Sequence, residues 1–270
     1  MEKYSVQDHA DSLVPAGKNW QLVWQDEFDG TELDAAKWNY RLNYWGKPSP
    51  TFTDAGAILD GQSNLQLHLS LKDGVYRSPH LQTGGNTFDM PRDTDGIWPF
   101  GKRIEPKFMH RFGYYEIRCK MQRCDGWHAA FWLQSPSIGA APDPRYCGVE
   151  VDIMENYSLF TKGYWMCGNI WGGYGKDCQG SGHAHVPFVE TADGFHLFGV
   201  DWSRDGYVFY CDGQEVYRVA GPVSEVEQFI LVSTECHSYN QGKGACPELA
   251  QAVLPDYFTV DFVRVFDAVD

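Results

Sequence analysis

The sequence predicts an all-β protein, a sandwich or barrel of many short strands in a single domain. Three observations carry this. Apolar residues recur at every second position in one segment after another. Glycine (28) and proline (14) punctuate the 270-residue chain every ten residues or so. Only one short stretch, PELAQAVL (247–254), has helical character. Period-two alternation is the signature of a strand with one buried face, and closely spaced turns between such strands argue stacked sheets.

Residues 1–18 are expected to run as an extended N-terminal segment. No internal repeat, low-complexity tract or linker-like shift in composition divides 1–270, so one domain is the economical reading. In NLQLHLS (64–70), Leu65, Leu67 and Leu69 share one face and polar residues the other. Residues 84–108 form a long stretch without a strand pattern, and long ordered loops in compact domains are often functional. FGYYEIRCKMQ (112–122) alternates again and is rich in aromatic residues. FHLFGVDW (195–202) reads as a strand, and YVFYC followed by Asp212-Gly213 and QEVYRV reads as a hairpin with a two-residue turn. QFILVST (228–234) and FTVDFVRVF (258–266) complete the strong strands.

Composition excludes some partners. The formal net charge is −14, which argues against nucleic acid and anionic membrane surfaces, since both need basic patches. No apolar run approaches the roughly 18 residues of a membrane-spanning helix. The N-terminus lacks the apolar core of a signal peptide. The eight cysteines show no C-x-x-C spacing, so they read as buried thiols with one or more disulfides. That usage favours an oxidising compartment, with a leader already removed.

The chemistry concentrates in GVEVDIMENY (148–157). Glu150 and Asp152 are two apart, so a strand places them on one face. Glu155 lies an odd number of positions away, and a β-bulge between Asp152 and Glu155 would return it to that face. Packed carboxyls raise one another's proton affinity, which allows one to act as an acid while its neighbour stays ionised. Carboxyls about 5 Å apart are the geometry of a retaining glycosidase. The bland alternative is a solvated acidic strand face, but exposed faces rarely carry such apolar flanks. In GWHAAFWLQS (126–135), His128 and Trp132 are four apart and share a strand face. Trp45, Trp127, Trp165 and Trp171 are further candidates to stack on sugar rings, each weighed against a place in the core.

These motifs, in this order, resemble glycoside hydrolase family 16, and the resemblance runs nearly end to end. WQDEFDGTELDAAKWNY (24–40), FGYYEIRCKM, GWHAAFWLQ, EVDIME, DGFHLFGVDWSRDGYVFYCDG (193–213) and LPDYFTVDFVRVF (254–266) carry it. The resemblance implies a jelly-roll sandwich of two antiparallel sheets with a concave substrate cleft. It implies Glu150 as nucleophile, Glu155 as acid/base and Asp152 as the residue tuning their protonation. No cofactor is required for that chemistry. Family members often carry a structural calcium ion, for which Asp261 matches the usual carboxylate and Glu27 is a second candidate. Two departures stand out. His128-Ala129 occupies the place of a Trp-Pro pair, with Trp127 or Trp45 as the compensating stacker. Ile170 stands where many members have histidine, and His183 or His185 could substitute.

The implied activity is that of a secreted, periplasmic or cell-surface endo-β-glycanase. It would work as a monomer on a polysaccharide, with no nucleic-acid partner and no membrane insertion. β-1,3-Glucan of laminarin type is the first substrate class. The alternative is a galactan such as agarose, porphyran or carrageenan, or a mucin-type glycan. Lys102, Arg103, Arg145 and His128 could then contact an acidic substituent. A non-catalytic carbohydrate-binding protein on the same sandwich is a further alternative. Transfer to a sugar instead of water would use the same residues.

Overall fold

The alternating segments become strands whose buried positions match the apolar ones. The computed structural model describes residues 1–90, 104–157, 162–236 and 246–269. Its longer strands are β1 (Asn19–Asp26), β2 (Leu65–Lys72), β3 (Val75–Gln82), β4 (Gly113–Lys120), β5 (His128–Gln134), β6 (Glu150–Asn156) and β7 (Tyr164–Trp171). They continue as β8 (Gln179–Pro187), β9 (His196–Ser203), β10 (Gly206–Cys211), β11 (Gln214–Val219), β12 (Phe229–Glu235) and β13 (Asp256–Val269). On β2, Leu65, Leu67 and Leu69 are buried while Gln66 and His68 are half-buried, as the period of two requires.

Hydrogen bonding follows the order β8-β7-β6-β5-β12-β3-β2-β13-β4-β9-β10-β11, with β1 on the C-terminal half of β13. All these pairings are antiparallel. The β2–β3 hairpin links two halves, which face each other as the layers of a jelly roll. Phe131, Leu133 and Val151 from one half meet Ile117, Val200, Phe258 and Val263 from the other in one buried cluster. Burying each such side chain contributes roughly 1.5–3 kcal/mol.

The Asp212-Gly213 turn forms as expected. Both residues have positive φ (47° and 79°), the twist that suits a two-residue hairpin between right-twisted strands. The segment at 247–254 does not become an α-helix. Pro247–Gln251 is a five-residue 3-10 turn, which the proline at its start and its short length favour. Residues 1–18 pair on themselves, Glu2–Tyr4 against Ser12–Val14. Of the long loop, residues 91–103 lie outside the described residues, and Lys102 and Arg103 with them. Its start, Thr87–Asp89, is a 3-10 turn.

The expected disulfides are not formed among the described residues. Cys119, Cys147, Cys167 and Cys236 are buried thiols. Burial pushes the Cys236 thiol up to about 12, so it stays protonated and packs as a small apolar group. No helix among the described residues is long and apolar enough to cross a membrane.

Candidate active site

β6 sits inside the first half-sheet and is buried along its whole length. Val151, Ile153 and Met154 all turn to the core, so two consecutive residues face the same way. The pairing shows why. Asp152 opposes Gly168 and Glu155 opposes Met166 on β7, so three steps on β6 match two on β7. The register slips at the same place against β5, where Trp132 opposes Asp152 and Phe131 opposes Met154. This is the bulge that the spacing of the carboxylates demands, and it returns Glu155 to the face of Glu150 and Asp152.

Entry to β6 depends on Gly148. Its φ is +98°, and a Cβ there would lie 2.1 Å from Ser135 Cβ. Gly148→Ala is expected to destabilise the fold by more than about 1 kcal/mol, because neither the conformation nor the space suits a side chain. Thermal unfolding checks this, and a melting point equal to that of wild type would contradict it.

Each carboxyl has distinct surroundings. Glu150 Oε2 accepts from Gln134 Nε2 at 2.6 Å and from the Tyr174 hydroxyl. Burial pushes the Glu150 carboxyl up to about 7, the Glu155 charge adds to this, and the Tyr174 hydroxyl opposes it. Asp152 is held well above the usual carboxylate range by burial and by the charges of Glu155 and Glu150. Its Oδ2 lies 3.6 Å from His183 Nε2. Burial also raises Glu155, but the opposing effects win and hold it below its ordinary value. They come from His128, with Nε2 at 3.2 Å, from His183, with Nε2 at 3.4 Å, and from the Tyr157 hydroxyl at 3.2 Å.

β5 supplies the wall as expected. Ala129, Phe131 and Leu133 pack into the core, which leaves His128, Trp132 and Gln134 on the carboxylate side. Trp132 Nε1 donates to Ser233 Oγ at 3.0 Å, which fixes its ring beside Asp152. The His128 ring stacks on Tyr157 with centroids 4.1 Å apart and planes 4° apart.

Trp45 is 49% exposed and packs on Phe88 (4.6 Å) and edge-on against Tyr174 (5.6 Å), the residue that touches Glu150. Its backbone N–H donates to Asp89, whose other oxygen takes Arg41 Nε at 2.5 Å. An exposed ring on a rigid base is suited to stack on a sugar. Trp45→Ala is expected to raise KM for a polymer about tenfold, in line with the 1–3 kcal/mol of a good stacking contact, with little change in melting point. An unchanged KM would exclude Trp45 from the cleft.

Other expectations need correction. Trp127 is fully buried with Leu69, Cys236 and Leu249, and Trp165 is buried in the main core. Neither ring can meet a sugar. Trp171 packs against the core, since its neighbour Ile170 is the residue opposite Glu150 on the cleft face. His185 stacks on Tyr164 (4.3 Å), while His183 is the histidine that reaches the carboxylates. Arg145 binds its near neighbour Asp143 through Nε (2.9 Å) and Nη2 (2.6 Å) and, among the described residues, makes no contact with the three carboxylates.

The calcium candidates do not fit a cation. Asp261 accepts Arg118 Nη1 at 2.6 Å. Both Glu27 oxygens are taken by Arg264, Nε at 2.7 Å and Nη2 at 2.8 Å. A guanidinium already neutralises each carboxylate, and a divalent ion beside it would be repelled.

Sequence reasoning missed Gln134, Tyr157, Tyr174 and Glu235. Tyr174 follows a Gly172-Gly173 turn with φ of 79° and 76°. A Cβ on Gly172 would lie 2.2 Å from the Asp177 carbonyl oxygen. That glycine pair is the local signal that could have flagged the tight turn carrying Tyr174 back over Glu150.

A jelly roll with three carboxyls on one bulged cleft strand defines a class of carbohydrate-processing β-sandwich. Residues 51–230 match the profile of Glycosyl hydrolases family 16, and the chain belongs to that family. Among curated proteins it is 26% identical over 270 residues to a glucan endo-1,3-beta-glucosidase A1 of Niallia circulans. That match covers 93% of this chain and 38% of the relative, so the chain spans well under half of that protein. It is 27% identical over 218 residues to beta-porphyranase E of Zobellia galactanivorans, covering 74% of this chain and 69% of the relative. A laminarinase structure from Flavobacterium sp. UMI-01 superposes with a TM-score of 0.68 at 20% identity, over 92% of this chain and all of that one, which shows the shared fold.

Proposed function

We propose that this chain is a retaining endo-β-glycosidase that cleaves a β-1,3-glucan of laminarin type. The observation that carries the chemistry is the bulge that brings Glu150, Asp152 and Glu155 to one cleft face. The glucanase among the relatives and the uncharged aromatic wall of Trp45 and Trp132 support the glucan.

Glu150 attacks the anomeric carbon as the glycosidic C–O bond breaks, and Glu155 protonates the leaving oxygen. Glu155 then takes a proton from water, whose oxygen attacks the same carbon and releases Glu150. Gln134 and Tyr174 hold the Glu150 oxygen in place for attack. Asp152 stays protonated between the two, which keeps the site near one negative charge throughout. That charge sits on Glu150 before attack and on Glu155 after it. In the free protein the proton leans toward Glu150 and away from Glu155. The productive arrangement needs Glu150 ionised and a proton available to Glu155, and a positive anomeric centre above Glu150 favours the first of these.

A second reading rests on His128 and His183. Their imidazole edges at Glu155 would suit an anionic substituent on a galactan of porphyran type, which the porphyranase relative also favours. A polymeric substrate favours a secreted, periplasmic or cell-surface protein for either activity, and we propose that it works as a monomer. The test is product release from laminarin, mixed-linkage β-glucan, agarose, porphyran, carrageenan and mucin glycans, with Glu150→Gln alongside. Laminarin oligosaccharides released with retained β-configuration, and absent with the variant, are expected. Release from porphyran alone would replace the glucan, and inverted products would overturn the mechanism.

A further inference from the structure

The cleft holds a fourth carboxylate that the mechanism does not use. Glu235 ends β12 and is the cross-strand partner of His128 on β5. On its other side β6 presents Glu155, with Nε2 of His128 3.2 Å from Glu155 Oε1, and Tyr157 covers the flat face of the ring. His128 thus lies against Glu155 and on the Tyr157 ring, with Glu235 as its cross-strand neighbour.

The groups around it are of both signs. β6 contributes Glu155 and Asp152, and Tyr157 follows it. β12 contributes Glu235. β3 contributes His80, whose Nδ1 lies 3.5 Å from Glu235 Oε1. β8 contributes His183, 3.4 Å from Glu155 Oε2. Arg41 adds positive charge near Glu235 and His80. His80 is fully buried, and burial together with the charges of Arg41 and His128 holds it well below its usual range. Of the two imidazoles beside Glu235, His80 is therefore the neutral one. His128 keeps some exposure, lies 3.2 Å from Glu155 and has Glu235 as its cross-strand neighbour.

We propose that His128 is a positioning residue for the acid/base, sharing a single proton with Glu155 while Glu235 holds the imidazole in place. The inference rests on reading Glu155 as the acid/base. In the resting dyad the proton is on His128 Nε2. It passes to the Glu155 carboxyl as that carboxyl protonates the leaving oxygen, and the imidazole is left neutral. The proton that Glu155 later takes from water restores the dyad. A dyad binds its one proton at least as tightly as either member alone, because the proton has two places to sit. Removing the histidine must therefore move the loss of that proton to lower pH.

Two measurements test this on the whole chain. The first needs no substrate. The ring resonances of His128, assigned by their disappearance in His128→Gln, are followed against pH in wild type, Glu155→Gln and Glu235→Gln. The midpoint is expected to fall by about one pH unit or more in Glu155→Gln, as for loss of an opposite charge within about 4 Å, and to fall also in Glu235→Gln. A midpoint unmoved in Glu155→Gln overturns the dyad, and one unmoved in Glu235→Gln overturns the holding role. The second measurement is the pH profile of kcat/KM on laminarin. The alkaline limb of His128→Gln is expected about one pH unit or more below that of wild type, a roughly tenfold loss just above the limb. Superimposed limbs overturn the proposal. If laminarin is not cleaved at all, the glucan assignment fails, and the resonance titration alone decides the dyad.

Discussion

Glu150→Gln is expected to lower turnover by a factor on the order of 10⁴ or more while making the folded protein more stable at alkaline pH. The first effect follows from losing the proposed nucleophile, since its removal forfeits the covalent route. The second follows from burial. The Glu150 carboxyl is pushed up to about 7, first by burial and then by the Glu155 charge. A carboxyl held above its unfolded value favours the folded state most below about pH 4.5. That contribution fades as pH rises through about 7, where the native site must carry the charge. Glutamine keeps a hydrogen-bonding oxygen for Tyr174 and never ionises. The variant should therefore melt a few degrees above wild type at pH 8, for about 1–3 kcal/mol, and the gap should close near pH 5. Activity assays and melting curves at both pH values check this. A gap independent of pH would mean that Glu150 is not strained by its charge. Residual turnover near the wild-type level would remove it from the mechanism.

Arg264→Met is expected to be the most damaging change far from the cleft. Arg264 is fully buried on β13 and makes a two-pronged pair with Glu27. Its Nη1 donates to the Ala10 carbonyl (2.8 Å) and Ser12 Oγ (2.9 Å), and its guanidinium lies 3.5 Å over the Phe262 ring. One side chain thus fastens the N-terminal hairpin and the end of β1 to the long strand. Removing it leaves Glu27 buried without its main partner, a change that costs about 3–5 kcal/mol. The double variant Arg264→Met with Glu27→Leu should recover most of that loss, since no unpaired charge remains. Chemical denaturation of both proteins checks this. If the double variant is as unstable as the single one, hydrogen bonds to Ala10 and Ser12 dominate, not the ion pair.

The reach of the sequence differs between strands and site. Strands such as β2 and β4 were readable because burial on one face imposes a period of two, which is local. The carboxylate cleft was readable for a related reason. Glu150, Asp152 and Glu155 lie on one strand, and their phase error could be repaired only by a bulge, which is present. Tryptophans were not readable, because the same ring serves a core and a sugar cleft equally well. Trp127 and Trp45 differ only in what packs over them, Leu249 and Cys236 for one and solvent for the other. Charged residues failed for the same reason. Asp261, Glu27 and Arg145 look like ligands until Arg118, Arg264 and Asp143 are found on them.

By itself, then, the sequence determined the all-β class, the strands and the bulged trio of acids, because each depends on neighbours within a few residues. Only the tertiary structure decided which histidines guard Glu155, which tyrosine holds Glu150 and which tryptophan faces solvent. His128, His183, Tyr157 and Tyr174 come from different strands and turns, brought to one point by pairings between segments far apart in the chain. No local periodicity records a contact of that range.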